Sequence, residues 1–359
     1  MVFREENKDK MTLLPGQMLA ILSAFLFGIS PALCKLVMGE MPPVLLAGLL
    51  YLGSGTGLWI FLFFRHENTL EELKRLSRRN RLKLLGAIIS GGILAPLFLA
   101  YGIKRGSAYE VSLLLNLETV ATTVIARLVF REHVGPSVWA GKALVLSGAF
   151  IITAGAAGGP SLSVAGLFVM AACVLWGVDN NLTRDVEEIS SAALACAKGL
   201  AAGVFNTIAA LLIFPGGAPA YRAAGVLLTG AMSYGISLVL FVEALRRIGS
   251  ARTGMLFAAG PFFGVMLSII LLGERPPSSF WVAALTMLAG IGLLYRESHA
   301  HLHDHVVQSH RHKHVHDEHH RHGHEGLAVG EEPHDHFHTH EQLTHHHVHW
   351  PDMHHRHGH

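Results

Sequence analysis

Ten separate stretches of this chain each run for about twenty mostly apolar residues, a length set by the bilayer core. That repetition limits the fold more than any motif does. In hydrocarbon a backbone must satisfy its own polar groups, which leaves helices and closed barrels as the spanning structures. The stretches fall at 17–38, 43–64, 82–103, 108–130, 136–155, 163–183, 190–214, 222–245, 250–272 and 278–295. Turn signals separate them at Pro42-Pro43, Gly158-Gly159-Pro160, Pro215-Gly216-Gly217 and Pro276-Pro277. Only 15% of the residues are charged, against about a quarter in soluble domains, so lipid is the expected solvent. Internal Gly and Ala, poor in a soluble helix, let helices approach closely in a membrane bundle. The expected fold is all-α and integral to the membrane, with ten transmembrane helices.

Basic residues set the orientation. Arg65, Lys74, Arg75, Arg78, Arg79, Arg81 and Lys83 crowd one short connection, which reads as a cytoplasmic loop. A nucleic-acid site there is set aside, because the cluster would lie at a membrane surface. With ten spans, both termini then face the cytoplasm, in the cell membrane. The first apolar run is long for a cleaved signal core and is read as a retained helix. Cys34, Cys173 and Cys196 all fall in apolar stretches and suggest neither a disulfide framework nor a thiolate metal site.

The chain repeats itself. Glu132, Trp139 and Gly148 recur as Glu274, Trp281 and Gly290 with the same spacings, seven and then nine. Gly106-Ser107-Ala108 recurs as Gly249-Ser250-Ala251, and Phe27-Gly28 as Trp176-Gly177, with Lys35 matched by Arg184. This gives an N-terminal segment 1–16, halves at 17–155 and 163–295, and a tail at 296–359. Five spans per half is an odd number, so the second copy starts from the opposite membrane face. Two inverted five-helix repeats are a plan common among secondary transporters.

The repeated residues resemble the EamA-type transporters of the drug/metabolite transporter superfamily. The second half carries Gly260-Pro261-Phe262-Phe263, then Leu272-Gly273-Glu274, Trp281 and Gly290. The first half carries Leu117-Glu118-Thr119-Val120, then Arg131-Glu132, Trp139 and Gly148. Thr119 stands where Pro261 stands, which predicts a straighter fourth helix than ninth. The resemblance covers about 17–295 and implies a transporter fold. Members of that superfamily carry amino acids, nucleotides, sugars, drugs and other metabolites, so it implies no single substrate.

Few polar residues lie inside the spans, and burying an ionised group there costs roughly 2.5–3.5 kcal/mol or more. Glu118, mid-span beside Asn116, is a candidate proton-coupling or substrate-binding acid; the alternative is a structural hydrogen-bond partner for Asn116, Thr122 or a neighbouring helix. Asp179, Asn180 and Asn181 point about 100° apart on a helix and cannot all face one cavity unless the helix unwinds. They are read as substrate contacts or as a helix end near the interface. Lys198, with Asn206 two turns away, pairs with Asp179, binds an anionic substrate or snorkels to water. Lys142 lies near the cytoplasmic end of the fifth span, and Glu110 is expected near the outer interface in contact with water. Glu132, Glu274, Trp139, Trp281 and Pro261 are read as structural repeat positions, the two Glu as caps or as partners of Arg131 and Arg275. Pro96 and Pro261 are candidate bends.

Residues 299–359 hold 24 of the 26 histidines, mostly as His-x-His. Candidate metal ligands are His310, His312, His314, His316, His334, His336, His338, His340, His345, His346, His347 and His349. Imidazole suits zinc, nickel, cobalt and copper, and alternate residues of an extended chain share a face. Without metal the tail is expected to be disordered. No cofactor is required by the sequence. A metalloenzyme His-Glu-x-x-His, a Cys-x-x-Cys pair and a Walker loop are all lacking, so an enzyme and direct ATP drive are not indicated.

The leading expectation is a secondary transporter exporting a small organic metabolite by alternating access, coupled to protons through Glu118. The alternative is a divalent transition-metal transporter or metal-regulated permease that uses the tail. A membrane metal sensor without transport ranks third, and an intramembrane enzyme below it. Expected partners are the lipid bilayer, a small-molecule substrate, divalent metal ions and a second copy in a homodimer.

Overall fold

The computed structural model describes residues 15–67, 69–130, 134–156, 163–184, 186 and 188–294, and in the tail 299–305, 308–314, 334–340 and 343–349. Two compact units result, Met1–Arg296 and Glu297–His359.

The first unit is helical. Its first half contains α1 (Gly16–Gly28), α2 (Ser30–Met38), α3 (Pro43–Phe64), α4 (Thr69–Arg75), α5 (Arg78–Ala87), a π-helical segment (Ile88–Leu94), α6 (Ala95–Arg105), α7 (Ala108–Leu114), α8 (Leu117–Phe130) and α9 (Pro136–Ala156). The second contains α10 (Val164–Thr183), α11 (Ser191–Ile213), α12 (Ala220–Gly230), a second π segment (Ala231–Ile236), α13 (Ser237–Phe257), α14 (Gly260–Leu272) and α15 (Ser278–Leu294). Eight stretches are long and apolar enough to cross a membrane, from Gly16–Met38 to Ala220–Ala244, and two shorter apolar helices follow.

The expected tenfold count thus changes to eight spans of full length among the described residues. The difference begins at the turn expected near 246–250, through which α13 continues to Phe257. No proline interrupts those residues, so the backbone ladder is not broken until Ala258-Ala259. α14 then has only 13 residues, about 20 Å of helix.

Pro261 lies in the first turn of α14, just after the break at 258–259, where its missing N–H costs nothing. Pro96 follows the π segment inside one continuous helical stretch, Arg78–Arg105, where its missing N–H cannot serve a carbonyl of that segment. The fourth span is also interrupted, at Leu115-Asn116, although it has no proline. Asn116 Nδ2 donates to Leu113 O at 3.2 Å and Thr119 Oγ1 donates to Asn116 O at 2.9 Å, so side chains take up carbonyls at the break. The straighter fourth helix expected from Thr119 is therefore not found. The breaks at 115–116 and 258–259, like the two π segments, occupy matching places in the two halves.

Packing follows the same relation. α3 lies along α11 and α9 along α15, each with its repeat counterpart. α1 packs on α13 and α14, while α10 packs on α6 and α8. The first span of each half therefore sits against the third and fourth spans of the other. Small residues permit this: a Cβ on Gly55 would lie 2.5 Å from Leu200 N, and one on Gly199 2.9 Å from Gly55 Cα. Phe63, Phe64, Leu212, Ile270 and Leu285 are exposed on the outer faces, an apolar surface suited to lipid. Trp139 and Trp281 are also exposed, in the first turns of α9 and α15, positions typical of aromatic rings at a membrane interface.

The second unit contains four strands, β1 (His299–His305), β2 (Gln308–His314), β3 (His334–His340) and β4 (Leu343–His349). β1 pairs antiparallel with β4, and β2 with β3. Their two-residue histidine period is a strand period.

Candidate substrate pathway

The candidate site forms where α10 meets α3, α8, α11 and the first π segment. Shifting a helix into i→i+5 bonding leaves carbonyls for other donors. Here Tyr51 OH donates to Gly91 O at 2.7 Å, and Trp176 Nε1 donates to the same oxygen at 3.0 Å. Trp176 Nε1 also reaches Tyr51 OH at 3.1 Å. Asn206 Nδ2 donates to Ile93 O at 3.2 Å. Side chains from three helices thus hold the π segment open as a polar seam.

Charged groups border that seam. Asp179 is 2% exposed, and its Oδ2 lies 2.5 Å from Lys198 Nζ. Its other oxygen, Oδ1, is buried and has no hydrogen-bond partner among the described residues. A Cβ on Gly91 would fall 2.0 Å from Asp179 Oδ2, so only glycine lets the carboxylate lie on the π segment. On the opposite side of α10, Asn180 Nδ2 donates to Glu118 Oε1 at 2.9 Å and to Thr122 Oγ1 at 3.2 Å. Asn181 Nδ2 donates to Thr122 O at 3.0 Å and Gly177 O at 2.8 Å.

The Asp179-Asn180-Asn181 triplet meets polar neighbours without any unwinding of the helix. α10 stays helical through all three, because polar neighbours flank it on more than one side. Glu118 is mid-span but lies in the first turn of α8, since the break at 115–116 starts a new helix there. Asn116, 4% exposed, serves that break. The structure brings Glu118, Asn180, Asp179 and Lys198 together around α10. With all three ionised, Glu118, Asp179 and Lys198 leave one uncompensated negative charge.

The positions related to these by the repeat carry no such charges. On the sequence matches, Asp179 corresponds to Ser30 and Glu118 to Gly260. Ser30 Oγ instead meets Tyr234 OH of the second π segment at 3.3 Å. The halves share a scaffold, and the charged residues are the asymmetry laid on it.

The remaining positions lie elsewhere. Glu274 caps α7 from the other half, its oxygens accepting Ala108 N–H at 2.9 Å and Tyr109 N–H at 3.1 Å. Its counterpart Glu132 lies outside the described residues. Glu110, expected in water, is 3% exposed and accepts from Ser163 Oγ at 2.5 Å. The start of α10 covers it, a long-range contact that span boundaries do not reveal. Beside it Lys35 Nζ donates to Gly106 O. Of the tail candidates, His316 is outside the described residues, and the others lie in β2, β3 and β4.

Sequence reasoning missed Tyr51 and Tyr234, since a lone tyrosine in an apolar run carries no spacing signal. Trp176 was visible only as a repeat marker. One cavity of 430 Å³ lies apart from this cluster, walled by residues such as Trp59, Phe63, Leu70 and Cys196. None of the charged residues of the seam lines it.

Residues 14–154 and 164–296 each match the EamA-like transporter family. An "uncharacterized transporter" of Methanothermobacter thermautotrophicus is 28% identical over 308 residues, spanning 81% of this chain and 89% of its own. A "putative permease-like protein YdzE" of Bacillus subtilis is 29% identical over 68 residues, 19% of this chain and 87% of its own. A protein of known crystal structure superposes with a TM-score of 0.58 at 18% identity, covering 78% of this chain and 96% of that one, a likeness of fold.

Proposed function

The chain belongs to the EamA-like transporter family, and from that premise we propose that it exports a small organic solute across the cell membrane in exchange for protons. The carrying observation is the uncompensated charge among Glu118, Asp179 and Lys198 beside the π segment. A buried site with surplus negative charge favours taking up a proton or a cationic group. Glu118 is the residue assigned the proton. Among the described residues its carboxylate accepts from a neutral amide, Asn180, whereas Asp179 has the ammonium of Lys198.

In this reading Glu118 is protonated from one face and deprotonated toward the other, as the repeats rock around the seam. The two π segments and the breaks at 115–116 and 258–259 provide matched places for bending. α14 and α15 complete a second five-span repeat, inverted relative to the first, and the basic 65–83 connection keeps both termini cytoplasmic. Among the described residues of the spans, no group of three or more His, Cys, Asp or Glu could hold a metal ion, so no observation favours metal transport.

The test is reconstitution into proteoliposomes with an internal pH dye. A panel of amino acids, nucleosides, sugars and quaternary-ammonium dyes is offered under an imposed pH gradient. One class is expected to drive proton flux in the native protein and none in Glu118→Gln. Solute flux that ignores the gradient and is equal in both proteins would overturn the reading.

A further inference from the structure

The cavity between α3, α4 and α11 takes no part in the charged seam. Its 430 Å³ falls within the range of about 300–1,000 Å³ usual for ligand pockets. Trp59 and Phe63 from the end of α3, Leu70 and Leu73 from α4, and Cys196 and Ala197 from α11 give it apolar walls. It is not sealed, since Trp59, Phe63 and Leu70 are each more than half exposed. Its polar lining residues are His66, Glu67 and Thr69, just past the end of α3.

That position in the fold decides what meets the walls. α3 ends at Phe64 and runs into the basic connection, so the cavity lies where the acyl region of one leaflet gives way to headgroups. Unfilled, apolar walls forfeit the dispersion contacts that neighbouring atoms supply. A partner helix is a poor filler. A helix is about 10–12 Å across, so 430 Å³ takes in about one turn of it. A methylene chain is narrow and flexible, and the bilayer supplies it at this depth.

Charge selects the headgroup. Residues 65–83 carry seven basic side chains against three acidic ones. The acids are engaged, Glu67 with Arg65 at 3.0 Å, Glu71 with Arg75 at 3.7 Å and Glu72 with the Ser190 N–H at 2.6 Å. Lys74, which follows the wall residue Leu73, is exposed, as are Arg78 and Arg79. None of these three has an ion pair among the described residues.

The rim carries backbone strain. Glu67 N–H donates to Leu62 O at 3.1 Å and His66 N–H to Phe63 O at 3.0 Å, the bonding of a Schellman cap. Its left-handed position favours glycine, yet His66 occupies it at φ 56°. Strain kept at the rim of a pocket points to a use for the side chain. The exposed imidazole of His66 is able to donate to a phosphate oxygen.

We infer that this cavity holds an acyl chain of an anionic phospholipid, whose phosphate is held by His66 and the basic residues of the connection. The site is independent of the transport reading, since its readout is lipid binding.

The experiment places the full chain in phosphatidylcholine bilayers containing small fractions of brominated-chain phosphatidylglycerol or brominated-chain phosphatidylcholine. Bromine quenches nearby tryptophan, and Trp→Phe variants isolate the signals of Trp59, Trp139 and Trp281. Brominated phosphatidylglycerol is expected to quench Trp59 at a fraction too low to quench Trp139 or Trp281, and brominated phosphatidylcholine is not. Lys74→Gln with Arg78→Gln is expected to lower the apparent affinity by about fivefold per substitution. Ala197→Phe, which fills the cavity, is expected to abolish the selective quenching. His66→Gly is expected to weaken it while raising the unfolding midpoint measured without anionic lipid, an opposition that a purely structural residue does not show. The comparison of the two lipids on the native cavity needs no variant that alters its packing. Trp59 quenched alike by both lipids, quenching in step with Trp281, or affinity unchanged in a folded Ala197→Phe or in the basic-residue variant would overturn the inference.

Discussion

Glu118 and Asn180 meet at 2.9 Å, carboxylate oxygen to amide, across the line between the two halves of the membrane unit. Glutamine at 118 keeps an oxygen for that amide and removes the proton site. Glu118→Gln is therefore expected to fold with stability within about 1 kcal/mol of the native chain, as changes that leave packing and hydrogen bonds in place do. Uptake driven by a pH gradient is expected to fall to that of protein-free vesicles. Thermal unfolding and vesicle flux on the same preparation separate the two effects.

Gly91→Ala sets a Cβ 2.0 Å from Asp179 Oδ2. The carboxylate and Lys198 must both move, or the π segment must shift. Overpacking of this kind costs about 1–3 kcal/mol, and a lowered unfolding midpoint is expected. Gly292→Ala is the control, because nothing lies within 4 Å of its added Cβ and alanine is better than glycine in a helix by about 1 kcal/mol. Equal losses in the two variants would rule out the close contact as the cause.

The spans were legible because about twenty apolar residues between turn signals have few other uses in a chain. The π segments at Ile88–Leu94 and Ala231–Ile236 were not, since a stretch apolar on every side has no phase in which a changed period could show. Glu118, Asn180, Asp179 and Lys198 stood out as polar residues in apolar runs. Their pairings did not, because the break at Leu115-Asn116 decides which way Glu118 faces, and that break rests on the side chains of Asn116 and Thr119. Glu110 was misplaced for a related reason: its cover comes from Ser163, far along the chain. The repeat markers Glu132 and Glu274 told of duplication without showing that Glu274 caps α7 across the halves.

The Asp179–Lys198 pair is buried enough that losing one member strands the other. Lys198→Met is expected to destabilise the protein by about 3–5 kcal/mol, the usual cost of an uncompensated buried charge. The double variant Asp179→Asn with Lys198→Met is expected to recover most of that loss, and a thermal-unfolding double-mutant cycle measures the coupling. A double variant as unstable as the sum of the singles would mean that the pair contributes little.

Outside the spans, Glu188 accepts the backbone N–H of Ser77 at 2.6 Å, while Glu72 accepts that of Ser190 at 2.6 Å. Ser77 and Ser190 are the N-caps of α5 and α11, so two connections from different halves cap each other's helices. The Ser77 N–H holds the Glu188 carboxyl below its usual value. A group whose folded value is depressed stabilises the fold above its unfolded value, about 4.3 for Glu. That contribution is lost as pH falls through the folded value. Protection of the Ser77 amide from hydrogen exchange is therefore expected to hold above about pH 5 and to weaken progressively below the ordinary carboxylate range. Glu188→Gln removes the titrating group, so its Ser77 protection is expected to lose this pH dependence. Because Glu188 is exposed, the expected readout is local exchange at Ser77, with little shift of global unfolding. A Ser77 amide equally protected at low and neutral pH in the native chain would show that the contact does not depend on the charge of Glu188.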